Sequence, residues 1–381
     1  MSKKISIIIT AIWISLGAIK AQETITETIL LDGQTREYIV YVPEIYDENS
    51  STPLMFNFHG FTSQAAGHLA ATRMRPVADT TGFILVYPQG SLFLGSTHWN
   101  VGAWTNGSTA DDLGFTEAMI DTLSTKYNID LDRVYACGFS NGGYFSYELA
   151  CKLSHRIAAI GSVGGKMSSE TFDACNPTHP IPVVSIHGTA DFVVSYFGSQ
   201  PFGSKTVPET TEYWNSYNDT ESIPVMEDIP NINTADGSTV EYYSYANGDD
   251  CTSVDHYRVN GGGHDWVGVR GNQDIDASSV IWNFVSRYDI NGLIDCNPTS
   301  TTDPNPENSA SLIYPNPARE YITLKMDLSS DIECSIYSPT GERILTQTIS
   351  RITKTINVKS LSPGIYFLKV GSETIKLVRA E

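Results

Sequence analysis

The chain has 381 residues, of which 41% are hydrophobic and 18% are charged, and its formal net charge is −19. This composition is typical of a globular protein, and the length allows one large domain with a smaller one. The strong negative charge argues against nucleic acid as a partner, because a surface that binds DNA or RNA is normally basic.

The first residues have the features of a leader for export. Lys3 and Lys4 precede an apolar run that begins at Ile5, and the small Ala21 ends the segment. The run is shorter than the roughly 20 residues that a membrane-spanning helix needs. We therefore predict a signal peptide over residues 1–21 rather than a membrane anchor, and expect the mature chain to reach a compartment where disulfides form.

The segment after the leader predicts two strands around a turn at Asp32 and Gly33. Short apolar runs follow, rich in β-branched and aromatic residues, and each ends in a turn signal. In chain order they read LMFNFHG, FILVYPQG, RVYACGFS, IAAIGSVGG, VVSIHGTAD and VDHYRVNGGGH. Runs of this kind are typical of strands buried on both faces of a mainly parallel sheet.

Helical segments lie between several of these strands. DDLGFTEAMIDTLSTKY carries Asp111 and Asp112 where a helix cap belongs, NGGYFSYELACKL follows the third run, and DASSVIWNFVSRY follows the last. This alternation predicts an α/β sandwich with a largely parallel sheet. The segment 192–250 has no clear strand rhythm, and we expect it to form a lid or wall that selects the substrate.

The composition changes after the last helical segment. Residues 295–310, DCNPTSTTDPNPENSA, are rich in Pro, Asn, Ser and Thr and predict a linker. Residues 311–381 contain β-rich runs separated by Pro-Thr-Gly and Ser-Pro-Gly turns, which predict a small all-β sandwich. The predicted organisation is therefore a leader (1–21), an α/β domain (22–294), a linker (295–310) and a β domain (311–381).

Three polar residues end three of the predicted strands. Ser140 follows RVYACGF, Asp191 ends VVSIHGTAD, and His264 ends VDHYRVNGGGH. Since the carboxyl ends of parallel strands meet at one edge of the sheet, these side chains are expected to lie together. Their order, Ser, Asp, His, is that of the α/β-hydrolases. Gly138 and Gly142 around the serine suit a tight strand-to-helix turn where a side chain would collide or strain the backbone.

The chemistry assigns a role to each residue. A serine hydroxyl becomes nucleophilic when a neighbouring base takes its proton, so His264 is the expected base and Asp191 the group that orients it. The backbone N–H groups of Asn141 and Phe61 are the expected donors to the oxyanion of the tetrahedral intermediate. This mechanism requires no metal and no cofactor.

Other residues have a structural interpretation beside a functional one. His59 and His187 lie near strand ends, where a supporting hydrogen bond is the favoured reading, and His256 lies inside its strand. Asp111 and Asp112 are favoured as helix caps. Trp99 and Trp266, with Phe61, are candidates for substrate binding, and the alternative is that the tryptophans only pack in the core.

The six cysteines include no Cys-x-x-Cys pair, so a zinc site is not expected, and 15 full pairings are open. Cys151 and Cys175 should both lie at the edge of the sheet away from the site, and so should Cys251 and Cys296. We favour these two bonds, with Cys137 left as a buried thiol and Cys334 as a free one.

The α/β region resembles the secreted esterase family that includes polyhydroxybutyrate depolymerase-like proteins, feruloyl esterases and acetylxylan esterases. The matching motifs are FHG (58–60), WN (99–100), DDLGF (111–115), GFSNGG (138–143), HGTAD (187–191) and GGGHDW (261–266). One departure is Val267–Gly268, where family members often have Pro-Gly after the His-x-Trp. The resemblance implies a serine carboxylesterase that forms an acyl-enzyme on feruloyl or acetyl esters, polyhydroxyalkanoate or an aromatic polyester.

The tail resembles the C-terminal sorting domain of the Bacteroidetes type IX secretion system, with YPNPA (314–318) and GIYFLKV (364–370) as its markers. This implies export through the periplasm to the medium or the outer-membrane surface, with the type IX machinery as a partner. We expect a monomer acting on a polymeric ester. A serine peptidase on the same fold, or a non-catalytic binding protein at the cell surface, is the alternative.

Overall fold

The computed structural model describes residues 22–199 and 201–296, and further on 313–314, 318–324, 332–338, 343–350, 354–370 and 373–380. The chain divides into two compact units, Met1–Cys296 and Asn297–Glu381, and each is described by itself below. The predicted signal peptide and nearly all of the predicted linker lie outside the described residues.

The strands of the first unit begin at Glu23 and continue to Leu293. They are β1 (Glu23–Leu31), β2 (Gln34–Val42), β3 (Thr52–Phe58), β4 (Ile84–Pro88), β5 (Ser91–Phe93), β6 (Ser96–His98), β7 (Ile129–Phe139), β8 (Ala159–Val163), β9 (Val183–Gly188), β10 (Val225–Ile229), β11 (Thr239–Tyr245), β12 (Val254–Asn260), β13 (Tyr288–Asp289) and β14 (Gly292–Leu293).

The helices of this unit lie mostly between consecutive strands. They are α1 (Ala65–Thr72), α2 (Met74–Thr81), α3 (Asp112–Lys126), α4 (Asn141–Lys152), α5 (Ser169–Asp173), α6 (Val207–Tyr217) and α7 (Ala277–Val285). Side-chain caps start several of them: Asp111 accepts from Gly114 N–H, and Asp276 from Ser279 N–H. Among the described residues, no helix combines the length and apolar character needed to cross a membrane.

Ten of these strands form one sheet in the order β1-β2-β4-β3-β7-β8-β9-β12-β11-β10. The six central strands, β4 to β12 in that order, are parallel to one another, and the strands outside them, β1 and β2 at one edge and β11 and β10 at the other, pair antiparallel. The prediction of a mainly parallel sheet is confirmed. The predicted turn at Asp32 and Gly33, which joins β1 to β2, is confirmed as well.

Helices cover both faces of this sheet, which explains why the central strands lack an apolar–polar alternation. Phe56 of β3 belongs to a hydrophobic cluster with α3, α4 and α6, whereas the adjacent Met55 belongs to a second cluster with α1, α2 and α7. Strands β4, β8 and β9 are buried along their whole length. A strand that is covered on both faces needs apolar residues at successive positions.

The expectation for segment 192–250 was wrong in part. It contains α6, which starts with a capping box at Thr206 and Glu209, and it contains β10 and β11, which extend the sheet. Four of the five residues of β10 are exposed and most of β11 is half-buried, so neither strand has the apolar pattern that predicts a core strand. Val193, near the start of this segment, lines the cavity described below.

Both favoured disulfides are confirmed. Cys151, in the last turn of α4, bonds to Cys175, and Cys251, just before β12, bonds to Cys296. Cys137 in β7 is a buried free thiol, as predicted, and Cys334 is also free and buried.

The described strands of the second unit are β15 (Ile313–Tyr314), β16 (Tyr321–Leu324), β17 (Ile332–Tyr337), β18 (Arg343–Ile349), β19 (Thr355–Asn357), β20 (Gly364–Val370) and β21 (Glu373–Arg379). They form two antiparallel sheets, β15-β16-β19 and β18-β17-β20-β21. Ile322 from the first sheet and Ile336 and Leu368 from the second belong to one hydrophobic cluster. The predicted all-β domain is confirmed, although part of its YPNPA marker, 315–317, lies outside the described residues.

Candidate active site

Ser140 occupies the turn between β7 and α4. Its backbone has φ 54° and ψ −119°, a conformation that L-residues rarely adopt and that costs about 1–3 kcal/mol. Two backbone hydrogen bonds hold the turn: Ser140 N–H donates to Val163 O at 2.8 Å, and Tyr144 N–H donates to Ser140 O at 3.0 Å. The side chain is therefore presented at the carboxyl edge of the sheet by a strained but well-anchored backbone.

The glycines of GFSNGG allow this turn to pack against its neighbours. A Cβ placed on Gly142 would overlap the carbonyl group of Phe58 at the end of β3, and a Cβ on Gly138 would overlap Gly142. The predicted reason for these glycines, that any side chain would collide, agrees with this geometry.

Asp191 and His264 meet beside this turn. His264 Nδ1–H donates to Asp191 Oδ2 at 2.6 Å, and the backbone N–H groups of Val193 and Val194 donate to Oδ1 at 2.8 and 2.7 Å. Burial raises the pKa of Asp191, but hydrogen bonds from His187, His264 and Val194 outweigh burial and hold that pKa below its ordinary value. The carboxylate therefore stays ionised and fixes the proton of His264 on Nδ1, which leaves Nε2 free to accept one.

Ser140 and His264 line one cavity of about 490 Å³. The His264 ring lies 4.7 Å from the ring of Phe139, between centroids, and a Cβ on Gly164 would come within 3.3 Å of its Cε1 and Nδ1. A bound substrate in this cavity can therefore contact the hydroxyl and the imidazole together.

The two predicted oxyanion donors are the residue that follows Ser140 and a residue of the cavity wall. Asn141 is the first residue of α4, so its N–H has no acceptor within the helix and lies at the positive end of the helix dipole. Its side chain is held by Trp99, whose N–H donates to Oδ1 at 2.7 Å. Phe61 lines the cavity next to Gly60, where an added Cβ would lie 3.4 Å from Ser140 Cβ.

The three candidates for substrate binding have different positions. Trp99 is fully buried, donates from Nε1 to His59 O at 2.8 Å and packs on Phe58, so its prediction as a substrate contact was wrong. Trp266 is only 5% exposed and hydrogen-bonds Ser278, so it serves mainly as a core residue that presents part of its surface to the cavity. Phe61 is 37% exposed and lines the cavity.

The other histidines near the site have supporting hydrogen bonds, as their structural interpretation predicts. His59 Nε2 accepts from Gly90 N–H at 2.9 Å, and burial lowers the pKa of His59 to about 4. His187 Nε2–H donates to Val194 O at 2.8 Å and lies 3.4 Å from Asp191 Oδ2. Both rings stiffen the loops that follow their strands.

Asp111 and Asp112 were both favoured as caps, and one of them has a different role. Asp111 caps α3, whereas the buried Asp112 accepts from Arg36 at 2.7 Å and from Asn100 N–H at 2.8 Å. This pair joins β2 to the loop that carries Trp99 and Asn100.

Lys166 supports the loop after Asp191, a role for which the sequence carries no signal. It is fully buried, and its Nζ donates to Ser195 O at 2.8 Å and to Gly198 O at 2.7 Å. Burial lowers the pKa of Lys166 to about 8. A lysine in a Gly-Gly-Lys turn normally predicts an exposed charge, so the contact was visible only in three dimensions.

Two family models match separate parts of the chain. Residues 36–179 match the model described as esterase PHB depolymerase, and residues 312–380 match the secretion system C-terminal sorting domain. The second match indicates that the chain is exported.

Curated relatives include a bifunctional acetylxylan esterase/xylanase of Neocallimastix patriciarum, 26% identical over 76% of this chain, and feruloyl esterase B of Piromyces equi, 28% identical over 67%. These matches span only 39% and 46% of the two relatives' own lengths. Among solved structures, an acetyl xylan esterase from Aspergillus awamori is 16% identical, with a TM-score of 0.50 over 68% of this chain and 98% of that one. This likeness shows the α/β-hydrolase fold.

Proposed function

We propose that this exported chain is a serine carboxylesterase that acts on esters carried by polymers. The observation that carries the proposal is the 2.6 Å hydrogen bond between His264 and Asp191 beside Ser140, which stands on a strained elbow and lines the same cavity as His264. The esterase family match and the names of the relatives support the same reaction class.

The reaction proceeds through an acyl-enzyme. Ser140 Oγ attacks the ester carbonyl carbon while its proton passes to His264 Nε2, and the oxyanion takes hydrogen bonds from the N–H groups of Asn141 and Phe61. The carbon–oxygen bond to the alcohol then breaks, and the alcohol leaves with the proton from His264. Water repeats the sequence on the acyl-enzyme, with His264 again as the base, and releases the acid.

The substrate class follows from the cavity and the relatives. A 490 Å³ cavity bordered by Phe61, Phe139 and Trp266 accommodates an acyl group of moderate size and cannot enclose a polymer. Feruloyl or acetyl groups on a polysaccharide, or the acyl end of a polyhydroxyalkanoate or aromatic polyester, meet this requirement.

The domain organisation that we propose assigns each activity to one part of the chain. Residues 22–294 form the catalytic domain, 1–21 the signal peptide, 295–310 the linker and 311–381 the sorting domain. We propose that the type IX secretion machinery reads the last of these and delivers a monomer to the medium or to the outer-membrane surface.

A fluorophosphonate probe and a panel of esters test the proposal together. The probe should label Ser140 in the wild-type protein, and the protein should hydrolyse at least one of p-nitrophenyl acetate, methyl ferulate, acetylated xylan, polyhydroxybutyrate and an aromatic polyester. Labelling without turnover of any ester, but with turnover of a peptide, would favour the peptidase. Absence of labelling would favour the non-catalytic binding protein.

A further inference from the structure

A second imidazole beside Asp191 is not used by the mechanism above. His187 lies in β9, is 2% exposed, and its Nε2 lies 3.4 Å from Asp191 Oδ2. The same oxygen accepts from His264 Nδ1–H at 2.6 Å. The carboxylate that orients the proposed base is therefore in contact with two histidine rings through one oxygen.

The hydrogen bond to Val194 fixes which nitrogen of His187 donates. Nε2 lies 2.8 Å from Val194 O, and a carbonyl oxygen only accepts hydrogen bonds, so Nε2 carries a proton. This N–H group lies against Asp191 as well. Burial raises the pKa of Asp191, and the contact with His187 is the largest of the interactions that lower it. His187 thus stabilises the ionised carboxylate.

The other nitrogen of the ring argues against a role in packing alone. Nδ1 of His187 is enclosed and, within the described part of the chain, has no hydrogen-bond partner. A buried polar atom without a partner costs free energy. The ring meets that of Tyr196 edge-on at 5.7 Å between centroids, a contact that a phenylalanine could make without this cost. The unpaired nitrogen is therefore offset by the contacts of Nε2.

The donors around Asp191 occupy its acceptor sites. A carboxylate has about four lone-pair sites for hydrogen bonds. The backbone N–H groups of Val193 and Val194 donate to Oδ1, and the two histidine rings share Oδ2. Each donor that stabilises the anion makes it a weaker base, and a weaker base attracts the imidazolium of His264 less strongly. This arrangement links His187 to the basicity of His264.

Other charged groups act on the pair from several elements. The buried ammonium of Lys166 acts on the carboxylate from the loop after β8, and His256 of β12 interacts electrostatically with His187. On the cavity side, Asp265 and Arg270 line the same wall as the proposed base. Burial lowers the pKa of Lys166 to about 8 and that of His256 to about 3, so neither has its midpoint between about pH 5 and 7.

We propose that His187 is a positioning residue that limits the basicity of His264 by sharing Oδ2 of Asp191. The inference rests on the proposed function, because it takes His264 as the base of the reaction. With Oδ2 shared, His264 stays unprotonated to a lower pH, and the form that accepts the proton of Ser140 is available there. The same contact holds the carboxylate in place beside the base.

His187→Phe tests the sharing of Oδ2. Without the donor, the carboxylate should bind the imidazolium of His264 more strongly, so the acid limb of kcat/KM should move to higher pH by about half a unit. Displacement of the unsupported carboxylate should also lower kcat about tenfold, with little change in KM. Both are measured with the ester of the panel that the wild-type protein hydrolyses fastest. The pH dependence of the rate at which the fluorophosphonate probe labels Ser140 gives the same limb without an ester.

His187→Gln and His187→Asn form a matched pair that covers the case in which His187→Phe fails to fold. The amide of glutamine reaches as far as Nε2 of the imidazole, so this variant should keep the wild-type limb. The amide of asparagine is one carbon shorter and does not reach Oδ2, so its limb should move as in His187→Phe. His256→Phe is the control for loss of a buried ring: His256 bonds Ser185 and Tyr196, and its replacement should leave the limb in place.

The position of the limb decides the inference. A limb that stays at the wild-type pH or moves lower in His187→Phe and His187→Asn would overturn it, even if the rate falls at every pH. A limb that moves as far in His187→Gln or in His256→Phe would overturn it too. Hydrolysis of none of the esters, with Ser140 still labelled, would overturn the proposed function alone, because the labelling rate still measures the limb. Absence of labelling in the wild-type protein would overturn both.

Discussion

The positive φ of Ser140 is maintained by the residues that pack around the turn. Of all the features of the site, this turn has the clearest signature in the sequence. Gly138 and Gly142 are needed where β3 and the start of α4 approach the turn, so the motif itself encodes the close packing. Asp191 and His264 were predicted from chain order and strand ends alone. For Trp99 the sequence left substrate contact and core packing both open, because a motif position does not reveal whether a ring faces substrate or core.

Ser140→Ala tests the proposed nucleophile. A smaller side chain at the elbow removes the attacking oxygen and disturbs little packing, so turnover should fall by a factor of about 10⁶ while the melting temperature stays within about two degrees. Steady-state assays and thermal unfolding of the purified variant measure both. Retention of more than a few per cent of the activity would exclude Ser140 as the nucleophile.

Three buried histidines should make the free energy of unfolding fall in acid. Burial lowers the pKa of His59 to about 4 and those of His68 and His256 to about 3, whereas an unfolded histidine titrates near about 6.5. Below about pH 6.5 the unfolded chain therefore binds protons that the native protein does not, so stability present above that pH is lost as the pH falls. Urea unfolding should show a slope of up to about 1.4 kcal/mol per pH unit for each histidine.

Substitution of one of these histidines isolates its contribution to the pH dependence of the free energy of unfolding. His256→Phe should reduce the slope between pH 6 and 4 by about a third. An identical slope in wild type and His256→Phe would show that this ring takes up a proton in the native state.

At the scale of elements, the central strands could be predicted because burial on both faces demands continuous apolar runs. The edge strands β10 and β11 could not, since exposed positions accept polar residues and the local pattern then resembles a loop. The conformation of the loop after Asp191 could not be predicted either. Lys166 holds this loop through hydrogen bonds between residues about 30 positions apart, and such contacts leave no local pattern in the sequence.

Lys166→Met should loosen this loop and lower activity. The methionine retains the apolar stem but cannot donate to the carbonyl oxygens of Ser195 and Gly198, so Asp191 and Val193 lose a fixed support. We expect kcat/KM to fall roughly 10- to 100-fold, the effect of a misplacement of about 1 Å, and hydrogen exchange of 192–199 to accelerate. The control variant Lys205→Met changes a partly exposed lysine shortly after this loop in the sequence. It should alter neither kcat/KM nor the hydrogen exchange of 192–199.

The two disulfides should stabilise the first unit by different amounts. They close loops of 24 and 45 residues, for which chain entropy gives about 3.5 and about 4 kcal/mol. Paired alanine substitutions should therefore lower the urea midpoint, with the loss at Cys251 and Cys296 at least as large as that at Cys151 and Cys175. A loss below about 1 kcal/mol for either pair would show that unfolded-chain entropy does not govern these bonds.

At the scale of the whole molecule, the division into an α/β part and a β part could be predicted from composition, because the Pro-, Asn- and Thr-rich stretch has little to bury. The predicted start of this linker, residue 295, does not coincide with the end of the first compact unit. Cys296, inside the predicted linker, is covalently bonded to Cys251, so the compact unit extends two residues beyond the predicted boundary at 294. A disulfide between distant residues leaves no local sequence pattern.

Deletion of residues 297–381 should separate export from catalysis. The truncated protein keeps Cys296 and its bond, so kcat/KM and the melting temperature should match those of the full chain. The native host should retain it inside the cell envelope. Loss of turnover in the purified truncated protein would place part of the second unit in the catalytic machinery.

The bond between Cys251 and Cys296 also defines how the catalytic unit bears mechanical load. A pull on the chain beyond Cys296 passes through the sulfur atoms to Cys251 and from there into β12, which is hydrogen-bonded to a strand on each side. Residues 261–295, among them His264 and all of α7, lie between β12 and Cys296 and outside this path. The proposed esterase, held by its C-terminal part and pulled by a solid polymer, would thus transmit tension past its proposed base.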